Sequence, residues 1–502
     1  MNFDIPRLPD PLLTEAYEAA ASKSVLAAVN DKIFFGYFSV CGDGKGHGGN
    51  TTFPGLDWGQ SAEALLWLGR EDVVRASWEY VKSFQRADGL LPFAILPDHA
   101  GKAFDILGYP VQVDPNGGLY RHWEPGNAFL TLADVTYIQV ADTFFRATGD
   151  LDWLRRQAET LRRAVGFLEG AVDANGLVRG GGFYMERPAR HRYEGVTQCY
   201  NANAHGIAAG LFDRIGDGAT AARCRGLADR ITAAFRREFW EGGQCFEYIT
   251  PDGRKIATHG LTDADWIAVG SGTASPEQVA VVWPRLRDAS DFVYDGIPTG
   301  VATRPEAYED WELSSDRHDI AAMGRVWYLE AWARTAMGDG EGLVASLRKV
   351  AETGKINGWS WCERYYSERT GYLGLHKMQW YVEYPACLVR IVNRFLLGVE
   401  YGLDGSLSLA PTVPAEFWRD GFGQRLAWAG RVVDFRFAGR SLAGTYEGAT
   451  AQRVRVRPFP GAAGQPTLRI DGSPAAAVAA RGGWLEFDLP PSPKARPFEL
   501  TA

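Results

Sequence analysis

Twelve segments with apolar residues at helical spacing follow one another from residue 10 to about residue 397. The connections between these segments alternate in length. Tight turns at Gly69, Gly149, Gly216, Gly270 and Gly338 alternate with connections of roughly 20 to 40 residues. Glycine favours the left-handed C-cap of a helix, and Asp, Ser or Thr can start the next one. The alternation therefore predicts a repeat of helical hairpins.

Six such hairpins can close into a double ring in which inner and outer helices alternate. All tight turns then lie on one face and all long connections on the other; an open solenoid is the alternative. After Gly398 the chain changes to short stretches of alternating polar and apolar residues between Gly and Pro turns, such as "QRVRVRPFP". We predict a mainly α fold: an (α/α)6 barrel over residues 1–398, followed by a C-terminal antiparallel β-sandwich over residues 399–502.

The composition narrows the classes of partner. A net charge of -8 argues against a nucleic-acid or anionic-membrane partner. The N-terminus lacks the pattern of a signal peptide, and the six cysteines are spread without a CxxC, as expected of reduced thiols in a cytoplasmic protein. There is no zinc-ligand spacing and no phosphate-binding loop, so no metal or other cofactor is expected. The composition leaves a homo-oligomer open.

Each long connection brings acidic, basic or aromatic residues close to the start of an inner helix. In chain order the six connections carry Asp57 and Trp58; His122, Trp123 and Glu124; Glu186, Arg187, His191 and Glu194; His259 and Asp263; Glu309, Asp310, Trp311 and Glu312; and Trp359, Trp361, Glu363, Arg364, His376 and Trp380. If the ring closes, these residues line one pit. Aromatic faces and carboxylates suit a sugar, and two carboxyl groups across such a pit can cleave a glycosidic bond as acid and base.

Most of these residues also have a purely structural interpretation. Asp57 and Asp263 can cap helices. The acidic run from Glu309 to Glu312 can be a solvated surface. Glu186 and Glu194 flank "RPARHR", which can form a surface ion-pair cluster.

Two stretches carry a resemblance to known families. "FPGLDWGQSAEALLWLGREDVVRASWEYVKSFQRADGLLP" is similar to the first hairpin of bacterial α-L-rhamnosidases and processing α-glucosidases. "WSWCERYYSERTGYLG…LHKMQW" resembles the last-loop motif W-x-E-x-(W/Y)…T-G-x-G…H of the same six-hairpin glycosidases. In those families the glutamate of this motif is the general base, so the resemblance implies that role for Glu363.

The sequence also departs from these families. Rhamnosidases carry the general acid seven residues before the position of Asp57, where this chain has Asn50. The α-glucosidases place an acidic aspartate in the third long loop. The corresponding stretch of this chain, "GGFYMERPARHRYEG", contains glutamates and no aspartate. Because sugar phosphorylases of the superfamily use a glutamate there, Glu186 is the first candidate for the acid and Glu194 the second.

The resemblance implies an exo-acting, inverting glycoside hydrolase whose substrate is a small oligosaccharide or glycoside. Glu363 is the expected base. The residues expected to bind the substrate sugar are Asp57, Trp58, His122, Trp123, Glu124, Arg187, His191, Trp311, Glu312, Trp359, Trp361, Arg364, His376 and Trp380. Three alternatives stay open. They are a sugar phosphorylase, with an anion pocket at "ERPARHR"; an isomerase-like or lyase-like barrel, which commonly works with histidine pairs; and a non-catalytic carbohydrate-binding barrel.

Overall fold

The computed structural model describes residues 3–29, 39–44, 52–106, 109–120, 131–180, 192–294, 296–313, 320–370, 379–457, 459–461, 465–475 and 478–501. Within these ranges, twelve helices precede residue 398. Their bounds are α1 Pro11–Ala19, α2 Gly55–Trp67, α3 Glu71–Lys82, α4 Leu132–Thr148, α5 Leu151–Ala171, α6 Gly195–Ile215, α7 Gly218–Glu238, α8 Asp263–Gly270, α9 Pro276–Asp288, α10 Gly324–Ala336, α11 Gly340–Ile356 and α12 Glu383–Arg390. Helices α1 and α12 each continue as a π-helical segment, Ala20–Val25 and Ile391–Leu396.

The helices form the predicted closed ring. In the inner layer α2 packs on α4, α4 on α6, α6 on α8, α8 on α10, α10 on α12, and α12 again on α2. The outer layer consists of α3, α5, α7, α9 and α11, each joined to its inner partner by a short turn, and of α1. The π-helical continuation of α1 packs against α12, so the first and the twelfth helix make the sixth hairpin. The (α/α)6 barrel is confirmed.

The two layers differ in how they are buried. Outer helix α5 buries apolar residues at helical spacing, among them Leu154, Leu161 and Leu168, and exposes arginines on its other face. Inner helix α4 is buried on nearly every side, and even Asp134 and Asp142 lie inside. The inner layer therefore carries charged groups into the interior, where they need partners.

Glycine ends the inner helices as expected, with one exception. Gly69, Gly149, Gly216 and Gly338 have φ between 66° and 85°. In the fourth turn the left-handed residue is Gly272 (φ 73°), whereas Gly270 stays within α8. A Cβ at Gly270 would lie 3.0 Å from the backbone nitrogen of Ala333, so this glycine permits the close approach of α8 to α10. The next helices are capped by the side chains of Asp150, Asp217, Ser275 and Asp339.

Short strands organise the long connections. Their bounds are β1 Ala94–Ile95, β2 Ala103–Ile106, β3 Tyr109–Gln112, β4 Gly118–Leu119, β5 Tyr193–Glu194, β6 Trp240–Glu241, β7 Gln244–Cys245, β8 Tyr248–Ile249 and β9 Lys255–Ile256. Strand β1 pairs with β4, β2 with β3, and β6 with β7. Strand β8 pairs with both β5 and β9, which ties the third long connection to the fourth.

The chain after the barrel is a β-sandwich. Its strands are β10 Val399–Tyr401, β11 Leu407–Leu409, β12 Phe422–Trp428, β13 Arg431–Ala438, β14 Ser441–Gly448, β15 Gln452–Val456, β16 Thr467–Ile470, β17 Ser473–Pro474, β18 Ala479–Arg481, β19 Trp484–Leu489 and β20 Ser492–Thr501, with a short helix α13 at Ala415–Asp420. The two sheets have the orders β10-β11-β15-β19-β18 and β12-β13-β14-β20-β16-β17. All pairs are antiparallel except β11 with β15. Phe487 of one sheet contacts Phe498 of the other.

The sandwich packs on the end of the barrel that carries the short turns. Trp67, the last residue of α2, contacts Tyr401, with ring centroids 5.3 Å apart. Arg146, in the last turn of α4, donates to the carbonyl of Tyr401 at 2.9 Å. The long connections are at the opposite end. None of the helices in the described ranges combines the length and apolarity needed to cross a membrane.

Candidate active site

Charged residues stand at the beginning of five inner helices, at the end of the ring that we call the mouth. Asp57 lies in the first turn of α2, Asp263 begins α8, Arg325 is the second residue of α10 and Glu383 begins α12; Glu194 is the N-cap residue of α6. Backbone N–H groups at helix N-termini favour nearby carboxylates. The ring thus concentrates negative side chains at the end from which the long connections emerge.

One group at the mouth, the Asp57 cluster, consists of Asp57, Arg325, Glu363, Tyr381 and Glu383. Arg325 pairs with Glu383 at 2.9 Å, and its backbone N–H donates to the same carboxylate at 2.6 Å. The Tyr381 hydroxyl donates to Asp57 at 2.5 Å. The cluster therefore joins the first turns of α2, α10 and α12 with the end of the sixth long connection.

The pKa of the Asp57 carboxyl lies closer to neutral pH than that of an ordinary aspartate. Burial raises its pKa to about 6, against the opposing effects of the Arg325 charge and the Tyr381 hydrogen bond. The negative charges of Glu383 and Glu363 add to the rise. Carboxyl groups with raised pKa values occur where a site needs an acid, although buried ion-pair networks produce them as well.

Glu363 is buried, with 5% of its surface exposed. Arg364 donates to its Oε1 at 3.0 Å. Its Oε2 is buried and has no hydrogen-bond partner within the described part of the chain. Burial raises the pKa of the nearby Cys41 thiol to about 12, and the charges of Asp43, Glu363 and Asp57 contribute to that rise. Glu363 therefore lies beside the first long connection, as the closed ring requires.

A second group, the His259 cluster, ties the fourth long connection to the fifth. His259 Nδ1 lies 2.5 Å from Glu247, and its Nε2 lies 3.3 Å from Glu312. Tyr248 donates to Glu312, and Tyr308 donates to Glu247 at 2.9 Å. The Tyr308 ring stacks on the imidazole with centroids 3.6 Å apart. The members of this cluster are all buried.

The carboxylates of the His259 cluster control the charge of its imidazole. Burial alone would lower the pKa of His259, but Glu247 and Glu312 raise it to about 9. Burial likewise opposes ionisation of Glu312, yet hydrogen bonds from His259, the Glu309 N–H and Tyr248 hold the pKa of Glu312 below its usual range. The cluster is thus a charged, cross-linked unit at neutral pH.

This charge state predicts a pH dependence of stability. Because the pKa of His259 is higher in the folded than in the unfolded chain, its contribution is complete below about pH 6.5 and is lost as the pH rises through about 9. The loss is on the order of 3 kcal/mol. We expect the free energy of unfolding of wild type, measured by denaturant titration at several pH values, to fall over this range more steeply than that of His259→Gln.

The control for this experiment is His205→Gln. His205 is also buried, but burial lowers its pKa to about 4, so its titration affects stability on the acid side. His205→Gln should keep the alkaline slope of the wild type. An unchanged alkaline slope in His259→Gln would contradict the assignment of the charge.

Glu194 is buried at the start of α6. Helix α6 begins at Gly195, which makes Glu194 its N-cap residue. Thr197 donates to Glu194 Oε2 at 2.7 Å. Glu194 also faces Tyr248 across the β5–β8 pair, which places it next to the His259 cluster. Glu194 therefore lies at the mouth, where its side chain is held by Thr197 and makes no capping hydrogen bond to the helix backbone.

Three of the residues expected to contact the sugar are buried in contacts with other parts of the protein. Trp58 is fully buried and packs on Phe53 and Tyr137 in the core. Trp361 is also fully buried, and it faces outward, because its Nε1 donates to the Val350 carbonyl of outer helix α11. Both rings therefore fill space between helices.

Glu312 is the third of these residues. Its two oxygens accept hydrogen bonds from Tyr248, the Glu309 N–H and His259, so Glu312 cross-links the fourth and fifth long connections.

Other aromatic residues keep exposed surface. Trp311 is 44% exposed, with Arg254 over its ring at 5.4 Å. Trp380 is partly exposed and lies three residues before the start of α12. Trp359 is largely buried, with its ring 6.0 Å from Trp361. Among these three residues Trp311 and Trp380 have surface for stacking on a sugar.

Seven candidates lie outside the described residues: His122, Trp123, Glu124, Glu186, Arg187, His191 and His376. Their assignments stay predictions.

The sequence analysis did not single out several residues that the structure brings to the mouth: Glu247, Tyr308, Arg325, Tyr381 and Glu383. For Arg325 and Glu383 a signal was available, since each is a charged residue in the first turn of an inner helix, like Asp57. Glu247 lies between the buried residues Phe246 and Tyr248, outside any inner helix, and no feature of the sequence marked it as a site residue.

No family model matches the chain, and no curated protein matches it. Solved structures do. A GH78 family rhamnosidase of Bacillus sp. GL1 is 14% identical with a TM-score of 0.64, and the match covers 87% of this chain and 40% of that one. The α-L-rhamnosidase from Dictyoglumus thermophilum is 12% identical with a TM-score of 0.64, and the match covers 99% of this chain and 51% of that one. A glycosidase in complex with glucose is 14% identical with a TM-score of 0.52, and the match covers 76% of this chain and 97% of that one.

These similarities show that the chain shares its fold with these solved structures. The chain spans about half or less of the length of the two rhamnosidases, while it covers nearly all of the shorter glycosidase.

Proposed function

We propose that this protein is a glycoside hydrolase that removes a terminal sugar from a small oligosaccharide or glycoside, with inversion. The observation that carries the proposal is Glu363: a buried carboxylate at the mouth of a six-hairpin ring, held at one oxygen by Arg364 and without a partner at the other in the described part of the chain. The similarity of the fold to rhamnosidases and to a glucose-bound glycosidase supports the same class of substrate.

In the proposed reaction Glu363 acts as the general base. It takes a proton from a water molecule whose oxygen attacks the anomeric carbon, while the bond from that carbon to the leaving oxygen breaks. A general acid gives its proton to the leaving oxygen. We assign that acid to the third long connection, first to Glu186 and second to Glu194. Inversion requires room for the water, so the two carboxyl groups should be roughly 6.5 to 9.5 Å apart.

The remaining mouth residues have positioning roles in this proposal. Asp57, with a pKa of about 6, can exchange hydrogen bonds with a sugar hydroxyl in either protonation state. Sugar contacts are further proposed for Trp311, Trp359, Trp380, Arg364, His122, Trp123, Glu124, Arg187, His191 and His376. The sandwich covers the end of the barrel opposite the mouth, which favours a pit closed at its base and hence a chain end as substrate.

A panel of aryl-glycosides tests the class of activity. We expect turnover of at least one α-linked substrate, with rhamnosides and glucosides the first to try, and an inverted first product by proton NMR. Running each assay with and without inorganic phosphate separates hydrolysis from phosphorolysis. Sugar binding without turnover across the panel would instead indicate a carbohydrate-binding barrel.

A further inference from the structure

One aromatic residue at the mouth has a backbone conformation that tryptophan rarely adopts. Trp380 has φ 66°, in the left-handed region, and its side chain is partly exposed. In this region the Cβ comes too close to the following carbonyl oxygen, which disfavours every residue except glycine. A bulky residue with this φ is an outlier that needs a physical reason.

Four other non-glycine residues of the described ranges share this conformation, and their surroundings account for it. Ala429 and Asp471 each stand before a glycine in the two-residue turn of a hairpin, where left-handed residues are required. Thr299 and Trp359 are buried, so packing in the interior offsets the strain. Among these five residues, only Trp380 combines the strain with an accessible aromatic ring.

Hydrogen bonds on two sides fix the backbone of Trp380. Its N–H donates to the Ser360 hydroxyl at 3.0 Å, at the start of the sixth long connection. Its carbonyl accepts from the Gly42 N–H at 2.8 Å, in the first long connection. A glycine at position 380 would make the same two hydrogen bonds without the strain. The backbone geometry therefore does not explain why a tryptophan is present.

The position of the ring supplies an explanation. Trp380 packs on Tyr381, whose hydroxyl donates to Asp57 at 2.5 Å. The residue before Trp380 pairs with Cys362, which directly precedes Glu363. The ring therefore lies close to both carboxyl groups of the mouth and keeps part of its surface accessible there.

We infer that Trp380 bears backbone strain because its indole is held against the terminal sugar, and that Ser360 is a positioning residue for this contact. The inference rests on the proposed function. Strained residues persist where the surrounding structure over-determines them, and they are concentrated at binding and active sites. The general base of an inverting enzyme activates a water on the face opposite the leaving group. A ring beside Glu363 should thus contact the terminal sugar and not the leaving group.

Two substitutions at position 380 separate the strain from the contact. Trp380→Ala and Trp380→Gly both remove the ring, but only glycine relieves the strain. By calorimetry with L-rhamnose and D-glucose, we expect both variants to bind the sugar that wild type binds about tenfold more weakly. In denaturant titrations, the unfolding equilibrium constant of Trp380→Gly should be about threefold smaller than that of Trp380→Ala.

Ala429→Gly is the matched control, because it removes a Cβ from another left-handed residue, in an exposed turn of the sandwich. It should gain stability by a similar factor and bind sugar like wild type.

A double-mutant cycle tests the positioning role of Ser360. Ser360→Ala should weaken sugar binding about threefold, because the Trp380 N–H loses the acceptor that fixes it. The double variant Ser360→Ala/Trp380→Ala should bind no more weakly than Trp380→Ala, since the serine acts only through the ring. Losses that add would remove Ser360 from this role.

Normal sugar affinity in both position-380 variants would overturn the contact. A Trp380→Gly protein no more stable than Trp380→Ala would overturn the strain. Either result differs from failure of the proposed function, in which wild type neither binds nor turns over a sugar. In that case the inference is overturned as well.

Discussion

Glu363→Gln is expected to reduce turnover by at least about 10²-fold, the low end of general acid–base catalysis, while sugar affinity at the mouth stays unchanged. Glutamine keeps the size of the side chain and the acceptor for Arg364, which is 3.0 Å from Oε1. It cannot take a proton from water. The loss should therefore appear in kcat, with a dissociation constant close to that of wild type by calorimetry.

The matched control is Glu368→Gln, an exposed glutamate in the same long connection. It should have wild-type kcat and KM. Near-normal turnover by Glu363→Gln would remove Glu363 from the reaction. A first product with retained anomeric configuration would show instead that a carboxylate attacks the sugar directly, and the two carboxyl groups would then be expected at about 5 to 5.5 Å.

The architecture was predictable from the sequence because its determinants are local. A glycine at the end of an inner helix, followed by a capping Asp or Ser, fixes a hairpin within a few residues. When the hairpin is repeated six times, few arrangements of the hairpins bury the apolar faces of both helical layers. This local rule did not predict the close approach of α8 to α10. Gly270 permits that approach because it has no side chain, and Gly272 makes the turn.

The site was less predictable because its contacts join residues that are far apart in the chain. Tyr381 and Asp57 are 324 positions apart, and only closure of the ring brings them together. The contacts of Trp58 and Trp361 show a related difficulty. Clusters of tryptophans near acids suit a sugar pit, but in this fold the same rings also fill the gaps between helices, and the sequence does not distinguish the two uses.

The general acid is the second group whose replacement should have a large effect. Glu186→Gln is expected to lower kcat/KM by about 10³-fold for substrates with poor leaving groups, such as disaccharides and alkyl glycosides, because their leaving oxygen must be protonated as the bond breaks. Nitrophenyl glycosides should be affected far less, since a nitrophenolate leaves without a proton. The diagnostic quantity is the dependence of the rate on the pKa of the leaving group, which should become steeper in the variant.

Glu194→Gln is the comparison that decides between the two glutamates of this connection. Thr197 donates to the Glu194 side chain, and a glutamine oxygen accepts the same bond, so the start of α6 should be retained. If Glu186 is the acid, Glu194→Gln should keep the wild-type dependence on the leaving group. A steep dependence in Glu194→Gln with normal behaviour of Glu186→Gln would transfer the role to Glu194.

If both variants behave like wild type, the acid lies on another loop, and Asp57 is the residue to replace next. A general acid must hold its proton at the working pH, and a pKa of about 6 gives Asp57 a protonated fraction near neutrality that an ordinary aspartate lacks. In that case the alkaline limb of the hydrolysis rate should be set by Asp57, whose pKa is raised in part by the negative charge of Glu363. Asp57→Asn would then abolish the alkaline limb for poor leaving groups, whereas loss of sugar binding alone would return Asp57 to its positioning role.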